Sequence, residues 1–196
     1  MTAYAGAIHR LRMIRGYLDL FTRMSGEENR VMLTSGNKVV YPSQGPCLIG
    51  PVIKIVIDGR PISFYQLALL DDSGGELFVP VDKAHTIGIR PLLSRSDIPK
   101  LLDLLKGPSG ADKDWKQRAI DNFKLLTSGS AFDLAEIVKG LTKLGEKRAL
   151  SFRESQTLEK ARKLLIGEIS EVMGETKSAA EEQMDEALKA RKSESS

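Results

Sequence analysis

Few residues in this 196-residue chain have the type and spacing that bond-making chemistry needs. His9 and His85 lie far apart, and with the single cysteine, Cys47, they make no zinc-ligand spacing. His85 has no sequence neighbour to make it a general base, so it reads as a solvent-facing loop histidine. Cys47 sits in an apolar run without an adjacent base or cation, the setting of an inert core thiol. Gly74-Gly75 invites comparison with a phosphate loop, but no phosphate-loop or dinucleotide-binding glycine pattern surrounds it and its flanks are β-prone. It reads as a hairpin turn, with Asp71 and Asp72 capping it. No acid, base, nucleophile or ligand cluster emerges, and the expectation is a non-enzyme with no cofactor and no metal.

Trp115 is different. It is the only tryptophan, and it stands in Lys113-Asp114-Trp115-Lys116-Gln117-Arg118 at the start of a helix whose apolar stripe is Ala119, Ile120, Phe123 and Leu126. Helical geometry puts Trp115 at the rim of that stripe. Two readings follow from periodicity: a half-buried ring closing the end of a bundle, or an exposed aromatic wedge beside Lys116 and Arg118, with the cations on phosphates and the ring against a base step.

The composition, 41% hydrophobic and 28% charged, suits a folded chain of one or two domains. One cysteine excludes an internal disulfide and fits a reducing, cytoplasmic setting; no apolar run reaches the length of a membrane span. The net charge of +3 is unevenly spread: residues 107–170 hold twelve Lys and Arg against nine acids, and residues 171–196 hold four against seven. A modestly basic block precedes an acidic tail.

The elements that must position these residues fall into two textures. Residues 3–24 form an amphipathic basic pattern, read as an N-terminal extension (1–31) that is either a helix or sequence upstream of the native start. From residue 36, short β-prone runs alternate with turn signals: Val39 to Tyr41, Cys47 to Ile57, Ile62 to Leu70, Glu76 to Val81 and a short Thr86 to Ile89. Pro46 and Pro51 suggest that the second run lies at an edge or bends, and Asp58-Gly59 is a hairpin signal. From residue 96 the period becomes helical. Ser96 or Asp97 caps the first helix, and a second runs from Asp114 to about Thr127. Ser130 with Asp133 opens a third that Gly145 ends; Ser151 with Glu154 opens a long fourth to Met173, and Ser178 with Glu181 caps a last one. The fold class is α+β: a small SH3-like or Tudor-like barrel (32–92), a helical bundle (93–190) and a frayed tail (191–196).

This order of features resembles the CarD/CdnL family of bacterial RNA polymerase-binding transcription regulators. The likeness rests on Gly36-Asn37-Lys38-Val39-Val40-Tyr41-Pro42 with Gly45, Ser63-Phe64-Tyr65, Val79-Pro80 and Gly88-Ile89-Arg90. It continues through Asp114-Trp115 with Arg118, Gly129-Ser130, Leu134-Ala135-Glu136-Ile137-Val138, and Leu150-Ser151 before Ala161-Arg162-Lys163-Leu164-Leu165. The resemblance implies a Tudor-like module that binds the polymerase β subunit largely by strand pairing, here through Lys54, Ile55 and Phe78. It also implies a helical domain facing promoter DNA at the upstream edge of the melted region, with Trp115 as a minor-groove wedge and Lys116, Arg118 and Arg153 as companion contacts. The chain is expected to act as a monomer and to favour the open promoter complex.

The chain departs from the family pattern at two places. Phe78 stands where some relatives carry a basic residue used against polymerase, so an apolar contact replaces a salt bridge there. After the tryptophan, Gln117-Arg118 stands where relatives often have adjacent arginines, with Lys116 as a compensating cation. The competing reading is a protein-interaction adaptor on polymerase with no direct DNA contact.

Overall fold

The computed structural model describes residues 33–57, 59–71, 74–108 and 114–193, the last three of these by backbone alone. The reading of residues 1–31 as a helix lies outside the described residues, as do Asp58, Asp72 and the end of the tail at 194–196. The described residues form one compact unit.

An antiparallel five-stranded sheet opens this unit: β1 (Lys38–Tyr41), β2 (Gly45–Ile57), β3 (Arg60–Leu69), β4 (Glu76–Pro80) and β5 (Arg90–Pro91), in the spatial order β4-β3-β2-β1-β5. Alternation places Val39, Cys47, Ile49, Leu67 and Val79 on one face, where they form a core of their own. The four longer strands fall where the alternating runs place them. The fifth does not: Ala84–Ile87 is a short helix, α1, closed by Gly88 in the left-handed conformation at φ 85°, and the strand is Arg90–Pro91 beyond it. Stopping the chain at Gly88 lets Arg90 pair with Val40.

Of the edge or bend that the prolines of β2 suggest, Pro46 marks no edge and Pro51 falls at an irregularity of the strand. The first half of β2 is central, bonded to β1 and β3, and Pro46 lies opposite Val40 while its carbonyl accepts from the N–H of Leu70 at 2.9 Å. Pro51 falls in a register shift between Ile49 and Val52, where the ladder asks no donor of it. Because β1 covers only residues 45–48 of its neighbour, Val52 to Ile57 pair with β3 alone, and from Lys54, beyond the end of β4, the two strands continue as a ribbon.

Five helices follow: α2 (Asp97–Lys106), α3 (Trp115–Thr127), α4 (Ala131–Lys147), α5 (Phe152–Met173) and α6 (Lys177–Ser193). Their apolar stripes, including Leu101, Leu105, Ile137, Leu141, Leu165, Ile169 and Met184, close a second core. Ser151 and Glu154 make the full reciprocal capping box at the start of α5, and Gly174 ends it at φ 71°.

Three helix ends differ from expectation. Ser96 makes no side-chain cap, and the Ser94 hydroxyl instead donates to Asp97 at 2.6 Å. The last helix is capped by Thr176, whose hydroxyl oxygen accepts from the Ala179 N–H, rather than by Ser178. Gly145 lies inside α4, with Leu150 packed against it; the helix ends only where Arg148 turns extended, a course that takes its guanidinium to Glu154.

The sheet and the helices share a joint of small residues and ion pairs. Gly129, at φ 80°, lies so near Pro42 that a Cβ would stand 3.1 Å from the proline ring, so only glycine meets both demands there. Its carbonyl accepts from Arg90 Nε at 2.6 Å, and the Arg90 fork closes on Glu168 of α5. Lys38 pairs with Glu171 at 2.6 Å across the same joint. Among the described residues no helix is long and apolar enough to cross a membrane.

Candidate functional site

The ribbon beyond β1 carries the first cluster. Register places Ile53, Ile55 and Ile57 of β2 on one face with Ile62 and Phe64 of β3, and Phe78 of β4 lies opposite Gln66 on that same face. Ile55 and Phe78 are 40% and 49% exposed, an unusual cost for side chains of their size. Lys54, one residue from Ile55, projects from the other face, so the three residues singled out by resemblance divide two to one. Among the described strand pairings, the outer edge of Val52 to Ile57 has no partner.

The second cluster surrounds Trp115. Asp114 accepts from the Lys116 N–H at 3.2 Å and caps α3, which fixes Trp115 as the first residue of the helix. The indole is 63% exposed, and the Lys116 ammonium sits over its face, 5.5 Å from the ring centre. Periodicity left Trp115 open between a bundle-closing ring and an exposed one; the ring is exposed.

The same helix departs from expectation in the face it buries. Ile120 and Phe123 are exposed, and no residue of α3 is fully buried. The side turned inward is Arg118, Asp121, Asn122, Leu125 and Leu126, about one residue step around the helix from the apolar stripe. On that inner side the Arg118 guanidinium meets the Glu154 carboxylate at 3.3 Å, while the stripe faces outward.

Glu154 is the anchor of this region. It accepts from Arg148 at 2.9 and 3.2 Å, from the Ser151 N–H at 2.9 Å and from Arg118, so one carboxylate joins α3, the end of α4 and the start of α5. Partial burial pushes its pKa up, but the bonds from Arg148 and Ser151 and the Arg148 charge outweigh this and hold it at about 2. Arg118 is therefore engaged within the fold. Arg153 is exposed beside the cap, and Gln117 donates along the helix to Asp121 at 2.8 Å.

Between α3 and the start of α5 these residues bound an open cleft of about 980 Å³, lined among others by Trp115, Phe123, Phe152, Arg148 and Arg153. Phe123 and Phe152 are 69% and 77% exposed. Sequence reasoning missed both phenylalanines and Arg148. Phe152 had a legible sign: it follows its N-cap directly and lies off the Leu158, Ala161, Leu165, Ile169 stripe that α5 buries.

Comparison with known families covers the segments that carry both clusters. Residues 33–93 match the model of the CarD-like/TRCF RID domain, and residues 100–185 match that of the CarD C-terminal domain. The chain belongs to the CarD/CdnL family. A relative from Bacillus subtilis (strain 168), named "Putative transcription factor YdeB", is 25% identical over 146 residues, which cover 74% of this chain and 95% of the relative. The CarD/CdnL segment that carries the ribbon is thus the RID match, and the segment that carries Trp115 and its cleft is the C-terminal match. This is a family of transcription factors, and the first core belongs to one matched segment and the second largely to the other.

Proposed function

We propose that the protein tethers to the β subunit of RNA polymerase through residues 32–92 and stabilises the open promoter complex through residues 93–190, with Trp115 as the wedge against DNA. The observation that carries this reading is the exposed indole of Trp115 at the capped first position of α3. A large apolar ring held out by a fixed backbone cap is a tool for contact, because burial would have been the cheaper use of it. Placed in a widened minor groove, a planar ring supports an unstacked step that fully paired DNA does not offer.

The polymerase contact is supported by the unpartnered edge of Val52 to Ile57, which offers main-chain donors and acceptors to an added strand. Ile55 and Phe78 supply apolar contact on one face, and Lys54 lies on the other. In this chain Phe78 replaces a salt bridge with apolar burial. Lys116 and Arg153 are the cations available to phosphates; Arg118 acts by positioning α3 on Glu154. DNA binding by the isolated protein is expected to be weak, since docking on polymerase supplies effective concentration.

Binding the open state more tightly than the closed one shifts that equilibrium, tenfold for about 1.4 kcal/mol of difference. The test is the lifetime of promoter open complexes with the parent chain and with Trp115→Ala. The variant is expected to bind polymerase as the parent does and to lose most of the added lifetime. An unchanged lifetime, with crosslinks from this position reaching protein instead of promoter DNA, would replace this reading by that of an adaptor.

A further inference from the structure

Beyond Trp115, the cleft has features that a single wedge does not require. Phe123 stands two turns along α3 from Trp115, and Phe152 is the first residue of α5, held by the Ser151–Glu154 capping box. Both rings line the same cleft as Trp115 and both are more exposed than it is. Three exposed aromatic rings on one concave surface are not explained by packing, because none of them closes a core.

The charge on the walls selects the occupant. The lining carries three guanidiniums, those of Arg118, Arg148 and Arg153, and one carboxylate, Glu154, whose charge Arg148 and Arg118 already meet. Net positive walls beside exposed rings suit a ligand with an anionic backbone and flat apolar faces. An apolar peptide would leave the net positive charge and the exposed Arg153 unused, whereas a nucleotide uses both features. The volume, about 980 Å³, is ample for one nucleotide.

We propose that Phe123 and Phe152 form a stacking cleft for an unpaired nucleobase beside the Trp115 wedge, with Arg153 on the adjoining phosphate. This rests on the DNA-facing reading above and deepens it. The wedge opens a step, and the cleft holds a base released by that opening, so the protein's preference is for melted over paired DNA.

The test compares two DNA probes at low ionic strength: a forked duplex with unpaired thymidines at the junction, and a fully paired duplex of equal length. Binding to the full chain is read by quenching of its only tryptophan and, independently, by anisotropy of labelled DNA. The parent is expected to prefer the fork by roughly fivefold or more, the scale of one base stacked on an aromatic ring. The double variant Phe123→Ala, Phe152→Ala is expected to keep the parent's thermal stability and its duplex affinity within about twofold while losing the fork preference. Restoring tyrosine at both positions should restore the preference, and Arg153→Ala should weaken both probes alike.

A fork preference that survives the double alanine variant overturns the cleft, as does its absence from the parent while duplex still binds; either result leaves the wedge standing. Failure of both probes to bind, together with no crosslink to promoter DNA in the polymerase complex, overturns the cleft and the DNA-facing reading together. Self-association that depends on Phe123 and Phe152, seen by sedimentation, would assign the rings to a second copy of the chain and also overturn it.

Discussion

Arg90 and Glu168 form a two-pronged ion pair, at 2.6 and 2.8 Å, that locks β5 to the last third of α5. Glu168 is 1% exposed and also accepts from the Leu93 N–H, while Arg90 Nε donates to Gly129. The pair therefore ties the sheet, the α3–α4 turn and the long helix together at one point. A charge this buried costs little only while its partner remains. Replacing Arg90 by methionine strands the carboxylate and is expected to cost about 3 to 5 kcal/mol by chemical denaturation. Glu168→Ala should cost less, about 2 kcal/mol, because Arg90 keeps some access to water. A cost below about 1 kcal/mol for Arg90→Met would mean that the pair does not hold the joint.

The ribbon should separate polymerase binding from stability. Ile55 and Phe78 are exposed on one face, so Ile55→Asp and Phe78→Ala are expected to change unfolding free energy by less than about 1 kcal/mol. Each should weaken binding to the β subunit by about tenfold or more, as loss of a buried apolar anchor does. Lys54→Ala, on the other face, should have a smaller effect. Retained affinity in Ile55→Asp would move the contact elsewhere.

Cys47 is buried in the core of the sheet, and that burial pushes its thiol up to about 11, with Tyr41 and Asp71 as lesser influences. The neutral thiol is the poorly reactive form. At pH 8 a thiol reagent is expected to modify the folded chain only at the rate of opening, and the unfolded chain at least about a hundredfold faster. Equal rates would show that this core opens readily.

The parts of the fold that sequence revealed are those where local rules and packing agree. The capping box at Ser151 and Glu154, the left-handed Gly174 and the strand runs from Val39 to Val79 all follow from propensities that nothing in the tertiary structure opposes. Errors arose where a distant partner decides. Gly145 reads as a stop, yet α4 passes through it because Leu150 packs there and Arg148 is drawn to Glu154. The apolar stripe of α3 reads as its buried face, yet the helix is turned so that Arg118 meets Glu154 inside and Ile120 and Phe123 face out. That same rotation hid Phe123 from sequence reasoning, because an exposed phenylalanine and a core phenylalanine have the same periodicity. Trp115, at the rim of that stripe and directly after its cap, was singled out by its type and place, but periodicity alone did not decide its exposure.

Glu154 makes the stability of this region depend on acid. Its pKa is held at about 2, below an ordinary glutamate near 4.5, so the folded state binds its proton less readily than the unfolded state. The stabilisation is fully present above about pH 4.5 and is lost as pH falls towards 2. Glu154→Gln removes this group from the titration while keeping a polar side chain at the third position of α5. At pH 7 the variant is expected to be less stable by on the order of 1 kcal/mol, the usual worth of a helix cap. Unfolding followed at pH 7, 5 and 3 should show that deficit shrinking between pH 5 and 3, because only the parent loses the contribution there. A deficit that stays constant over the range would mean that Arg148 and the Ser151 cap do not depress this carboxylate.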